Sequence, residues 1–227
     1  MKKSSFFISI FLSFLLAFCC LFFTACKKVN PLYERVSELR LSLYEGQSEN
    51  FTISASYGFK ETPFNNDSSV GKKVYILSFK LFGKETDGVS YTLKFEFEQQ
   101  NYSATFKLNP VTHNLTASVE LDNFNENEFS VTISGGGAPE TVNLRSILPE
   151  KTIDYKKALD YLYADQQPLI KAYLDDNGNF NAEIYARVLV KNQKPYWYIG
   201  IASGNGNLKA LLIDGFSGKV LAIREVF

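Results

Sequence analysis

Beyond residue 26 the chain has no cysteine: Cys19, Cys20 and Cys26 are all there are. The rest of the sequence therefore has no thiol nucleophile, no thiolate set for a metal and no partner for an internal disulfide, and it must rest on its core. Histidine is almost as scarce. The single one, His113, falls in a turn-like stretch with Asn109, Pro110 and Asn114. A catalytic histidine needs a partnered nucleophile or acid, and a metal-binding one needs fellow ligands. His113 thus reads as an exposed turn residue, and neither a metal nor a cofactor is expected. Charge of one sign is missing too. Basic and acidic residues number 24 each with no block of like charge, which excludes the usual footprint of a nucleic-acid partner.

The amino terminus carries Lys2 and Lys3, followed by an uncharged run over residues 6–23 rich in Phe, Leu, Ile and Ala. That is the charged head and apolar middle of a secretory signal. Its 18 residues are also just enough to span a bilayer, so an uncleaved anchor is the alternative. The sequel is Phe23, Thr24, Ala25 and Cys26, then Lys27 and Lys28. It resembles the lipobox of bacterial lipoproteins, with Phe where that family prefers Leu, Val or Ile. The resemblance implies cleavage before Cys26, lipid on its thiol, a tether over 26–35, and a membrane-anchored protein on the extracytoplasmic face. Loss of Lys2 and Lys3 with the leader leaves 22 basic residues against 24 acidic ones over 202 residues, enough for one large domain or two small ones.

What is abundant is alternation. Tyr91, Leu93, Phe95 and Phe97 alternate with Thr92, Lys94, Glu96 and Glu98, the period of a half-buried strand. The same pattern holds for Leu39, Leu41 and Leu43, for Tyr102 to Leu108, for Leu115 to Leu121 and for Phe129 to Ile133. Residues 74–82 are apolar on both alternations, which suits a central strand covered on both sides. Turn residues punctuate these runs, including Gly135, Gly136 and Gly137. The spacing predicts an antiparallel β-sandwich over residues 36–148, with about eight strands.

At Pro149 the period changes. Asp154 can cap a helix that places Ala158, Leu159 and Leu162 on one side, and Pro168 can open a second helical turn. Four strand-like segments follow, at 180–190, 195–202, 208–214 and 219–226. The expectation is a separate α+β module over 149–227, one helix on a four-stranded antiparallel sheet. Its end carries Tyr196, Trp197, Tyr198, Ile199 and Gly200, then Asp214, Gly215, Phe216, Ser217 and Gly218. This resembles a PepSY-type domain over about 75 residues. The resemblance implies a secreted, non-catalytic module proposed to restrain peptidases. The spacing has its own physical logic: Asp214 can accept hydrogen bonds from the N–H groups just ahead, and Gly218 can take a φ that other residues resist.

Short motifs with chemical associations are weak. Ser69 and Lys72 spell S-x-x-K, but 20 serines and 19 lysines give about one or two such matches by chance, and the companion motifs are missing. Asp175, Asp176, Asn177 and Gly178 suggest a calcium loop, yet Phe180 stands at the sixth position, where the loop needs glycine, and no glutamate stands at the twelfth. Aromatics carry the better signal. Tyr185, Tyr196 and Tyr198 alternate away from Ile184, Trp197 and Ile199, and share a sheet face with Arg187. Tyrosines around an arginine make a binding surface, unless that face packs on the chain's first half. The functional expectation is a surface-tethered, non-catalytic binding or scaffolding lipoprotein engaging an extracytoplasmic protein or peptide. The alternative is an envelope hydrolase whose site lacks a local signature.

Overall fold

The computed structural model describes residues 29–62, 71–83, 89–204 and 206–226, and Pro31–Phe227 forms one compact unit. The expected signal and lipid-bearing Cys26 lie outside the described residues, as does Ser69. In chain order the elements are β1 (Val36–Gln47), β2 (Phe51–Thr62), β3 (Lys72–Gly83), β4 (Thr92–Phe97), β5 (Gln100–Thr105), β6 (Lys107–Leu108), β7 (Leu115–Glu120), β8 (Glu128–Ser134) and β9 (Glu140–Ser146). Helices α1 (Tyr155–Asp165) and α2 (Gln167–Lys171) follow, then β10 (Glu183–Lys191), β11 (Lys194–Ala202), β12 (Leu208–Asp214) and β13 (Val220–Val226).

All thirteen described strands belong to a single sheet, which curls into a nearly closed barrel or sandwich. Its main path runs β13-β12-β11-β10-β1-β2-β3-β7-β6, and β4, β5, β8 and β9 branch from it through the pairing of β9 with β1. This overturns the expected architecture. Among the described residues the fold is not an all-β sandwich followed by a self-contained helix-on-sheet module, because both stretches contribute strands to this one sheet. β10 does not begin a new sheet; it pairs in parallel with β1, Leu39 opposite Ala186 and Arg40 opposite Arg187. The physical reason is the edge. A four-stranded C-terminal meander would leave β10 with a row of unpaired N–H and C=O groups, and β1 covers that row. Parallel neighbours require a long connection, which here is everything between β1 and β10.

The packing around the helix tells the same story. Asp154 caps α1 by accepting from the Lys157 N–H at 2.8 Å, and Ala158, Leu159 and Leu162 are buried with Ile184, Val188, Trp197, Ile199 and Ile213. That cluster also contains Leu32, Val36, Leu39 and Phe59, from the other end of the chain. The only tryptophan is tied in by a hydrogen bond from its Nε1 to the Ile153 carbonyl at 2.9 Å. A second core fills the other end of the sheet with Tyr44, Ile53, Leu77, Phe79, Leu93, Val131 and Leu144. Phe124 sits in it against Phe129 and Phe97, ring centroids 4.9 and 5.1 Å apart.

β1 and β2 serve both cores because of one bulge. The β1–β2 register shifts between Arg40 and Ser42. Before the shift Leu39 faces the helix-side core; after it Tyr44 faces the aromatic core. A bulge exchanges the inward and outward parity of the strand that carries it. The chain opposite comes very close: a Cβ on Gly58 would lie 1.8 Å from the Leu39 carbonyl oxygen, so only glycine fits there. Leu39 is buried in the helix-side core and Leu41 and Leu43 are partly buried against it, although the bulge interrupts their alternation. β3 also differs from expectation. It is central in strand order, but Lys80 on its outward alternation is exposed. β2 and β9 are strands outside the segments that alternation predicts.

Candidate binding surface

The outward face of β1, β10 and β11 brings three of the four expected side chains together. Two-residue turns set the register: Asn192 and Gln193 both take positive φ, 51° and 60°, the type I′ geometry that suits the twist of a hairpin. Lys191 is thereby placed opposite Lys194, and Arg187 opposite Tyr198. Tyr185 stands opposite Gly200, whose missing side chain makes room for the rings; a Cβ there would lie 3.1 Å from Tyr185 and 3.3 Å from Tyr198. The Arg187 guanidinium carbon lies 5.9 Å from the ring centroids of both Tyr185 and Tyr198, within cation–π range. Tyr196 is opposite Leu189 and Asp214, one row away.

Glu38 of β1 completes the group. Its two carboxylate oxygens accept from Arg187 Nε at 2.9 Å and Nη2 at 2.7 Å, a two-pronged pairing that fixes the plane of the guanidinium. The same carboxylate reaches Arg40 Nη2 at 3.8 Å. One acid thus serves two guanidiniums. The hydrogen bonds that Arg187 donates to Glu38 hold its proton more firmly than usual. At Arg40 burial and then the like charge on Arg187 act the other way, opposed by Glu38, and its pKa falls below the ordinary value. Burial also pushes the Tyr185 hydroxyl up, with the acids Glu183 and Glu38 adding to the shift.

Glu38 was not singled out from the sequence. Its outward placement beside Leu39 is legible in the alternation, but its partner lies 149 residues away. Gly200 lies within the strand motif, and the room it leaves for the rings follows only from the pairing of β10 with β11. A second ion pair, Arg35 with Glu183, joins the same two ends of the chain from a largely buried position. Burial raises the Glu183 carboxyl, and Arg35 opposes that shift.

The turn residues behave locally. Asp214 Oδ1 accepts from the Phe216 and Ser217 N–H groups at 3.0 and 2.8 Å and from the Ser217 hydroxyl at 2.9 Å. These bonds, the Ser217 N–H first, hold its carboxyl below the usual range. Gly218 has a φ of +75°, and a Cβ on it would lie 1.9 Å from the Tyr161 ring. Asp175 is similarly occupied by its own loop, accepting from the N–H groups of Asn177 and Asn179. His113 is exposed in its turn with a φ of 54°. Among the described residues no group of three or more His, Cys, Asp or Glu is arranged to hold a metal ion. No protein-family profile, curated protein or solved structure matches the chain.

Proposed function

We propose that this protein is a non-catalytic binding or scaffolding lipoprotein, tethered by lipid on Cys26 to the extracytoplasmic face of a membrane and engaging a protein or peptide there. The observation that carries the binding reading is the Tyr185–Arg187–Tyr198 group. An arginine held between two rings and locked by Glu38 has little rotamer freedom left to lose when a partner arrives, and preordering of that kind favours affinity. Tyrosine and arginine are also the residues that dominate binding energy at protein interfaces. Support for the address is the sequence Thr24-Ala25-Cys26 after an apolar run.

Crosslinking and pull-down from the native envelope test the binding reading. Tyr196→Ala with Tyr198→Ala should abolish a captured partner while the melting temperature stays close to wild type. Equal capture by that variant would refute this surface as the binding site. For the address, Cys26→Ser should give an unprocessed or mislocalised precursor, and a variant that fractionates and migrates like wild type would refute lipidation.

A further inference from the structure

The outward face continues past Arg40 across β2, β3, β7 and β6, and there its character changes from aromatic to hydroxylic. Pairing builds it in rows. Ser56 of β2 stands beside Ser78 of β3, and Ser78 beside Ser118 of β7. One row along, Ser54 stands beside Lys80, Lys80 beside Thr116, and Thr116 beside Lys107. These positions line a groove of about 940 Å³, together with Ser103 and Thr105 of β5 and the apolar Leu43, Ile147 and Leu189. Its charged lining is Arg40, Lys60, Lys80 and Lys107 against the single carboxylate Glu45. Glu38 lies between Arg40 and Arg187 at the margin, and Glu120 stands beside Ile76 on the β3–β7 rows. None of the three lysines makes an ion pair among the described residues.

We infer that this groove binds an anionic glycan, a polyhydroxylated chain carrying carboxylate or sulfate groups. Neighbouring strands lie about 4.8 Å apart, and alternate residues on one strand about 7 Å apart. The floor is thus a grid of hydroxyls, each able to donate and accept, spaced on the scale of the hydroxyls on a sugar chain. The unpaired lysines supply charge complementarity. Arg40 adds to it: it is partly buried beside a like charge, so an anion in the groove offsets both penalties. Two other occupants fit worse. A peptide cannot add itself as a strand to the floor at β2 and β3, which are paired on both sides; of the strands lining the groove only β5 and β6, at the periphery, keep an open edge. Single-stranded nucleic acid needs exposed rings for its bases, and the aromatic lining residues Tyr44 and Phe79 are 2% and 1% exposed. The inference stands apart from the tyrosine surface and from the lipid anchor.

Calorimetry or fluorescence titration of the full-length protein in mild detergent tests it, using oligogalacturonate, a heparin-type oligosaccharide, neutral dextran and single-stranded RNA as probes at 0.15 M salt. Binding to one or both anionic oligosaccharides, with none to dextran and weaker binding to RNA, is the expected result, and the two anionic probes tell carboxylate from sulfate. The exposed residues Lys60, Lys80 and Lys107, changed together to Glu, should weaken that binding tenfold or more. The same change at Lys151, Lys157 and Lys171 on the helical segment should leave it within twofold. Ser56→Ala, Ser78→Ala and Ser118→Ala combined should weaken it several-fold with no change in charge, and Tyr196→Ala with Tyr198→Ala should not affect it. No binding to either anionic oligosaccharide, tighter binding to RNA, or equal loss in both lysine sets would overturn the inference, provided the variants melt like wild type.

Discussion

Removing the Glu38 carboxylate is the most direct way to ask whether the arginine face is held together as described. Glu38→Gln keeps the shape but leaves Arg187 and Arg40, neighbours across the β1–β10 pairing, without the one acid they share. A fully buried pair that loses one partner costs about 3–5 kcal/mol, whereas an exposed pair is worth about 1 kcal/mol or less. The side chains of Glu38 and Arg187 are 18% and 37% exposed, between those limits, and water can reach the arginine once the acid is gone. A cost of about 2 kcal/mol follows. For a unit of this size that is a fall of about 4–8 °C in melting temperature. Trp197, buried and bonded to Ile153, gives an intrinsic fluorescence signal for the melt. Part of the deficit is repulsion between the two guanidiniums, so it should shrink as salt is raised from about 0.1 to 1 M. In the double variant Glu38→Gln with Arg187→Gln the second change should cost at least about 1 kcal/mol less than it does alone. A Glu38→Gln protein melting within about 1 °C of wild type, or two deficits that simply add, would refute the account.

Gly218→Ala should cost about 1–2 kcal/mol through its positive φ alone, and somewhat more through the Tyr161 ring; adding Tyr161→Ala should recover only the ring's share, which a double-mutant cycle on urea midpoints measures. Asp214→Ala should lower stability by about 0.5–1 kcal/mol at pH 7, toward the low end because the turn is open to water. Since the folded-state pKa of Asp214 is depressed, its contribution is complete above the ordinary carboxylate pKa and disappears as pH falls through the folded value. The wild-type and Asp214→Ala midpoints should therefore converge in acid, and a gap that stays constant down to pH 2 would contradict the turn's role. Trp197→Phe leaves the Ile153 carbonyl without its Nε1–H donor and leaves a void beside the helix, so hydrogen exchange at α1 should accelerate and stability fall by about 2 kcal/mol or more.

Local features could be read from the residues because their causes are local. The alternation of Tyr91, Leu93, Phe95 and Phe97, the Asp154 cap, and the Asp214 turn each depend on groups within a few positions of one another. β2 carries the same kind of signal in Phe51, Ile53, Ala55, Tyr57 and Phe59, but the small residues Ser54, Ser56 and Gly58 between them dilute it. Those small residues prove to be the floor of the groove and the mate of the bulge, so what obscured the strand is what gives the face its use.

What the sequence by itself determined is therefore the set of amphipathic strands, the turns joining neighbours, and one helix with an apolar side. Only the tertiary structure decided how the two halves combine. An alternating strand specifies that one side must be buried; it does not specify which strand will cover its edge, and several here are equivalent in that respect. The choice fell on β1 for β10, because that pairing satisfies the exposed backbone of both and closes two cores with one sheet. With it came the meeting of Glu38, Arg40 and Arg187 and the rows of hydroxyls and lysines drawn from separate strands. Neither arrangement has a signature along the chain, since each exists only through pairings between residues far apart in sequence.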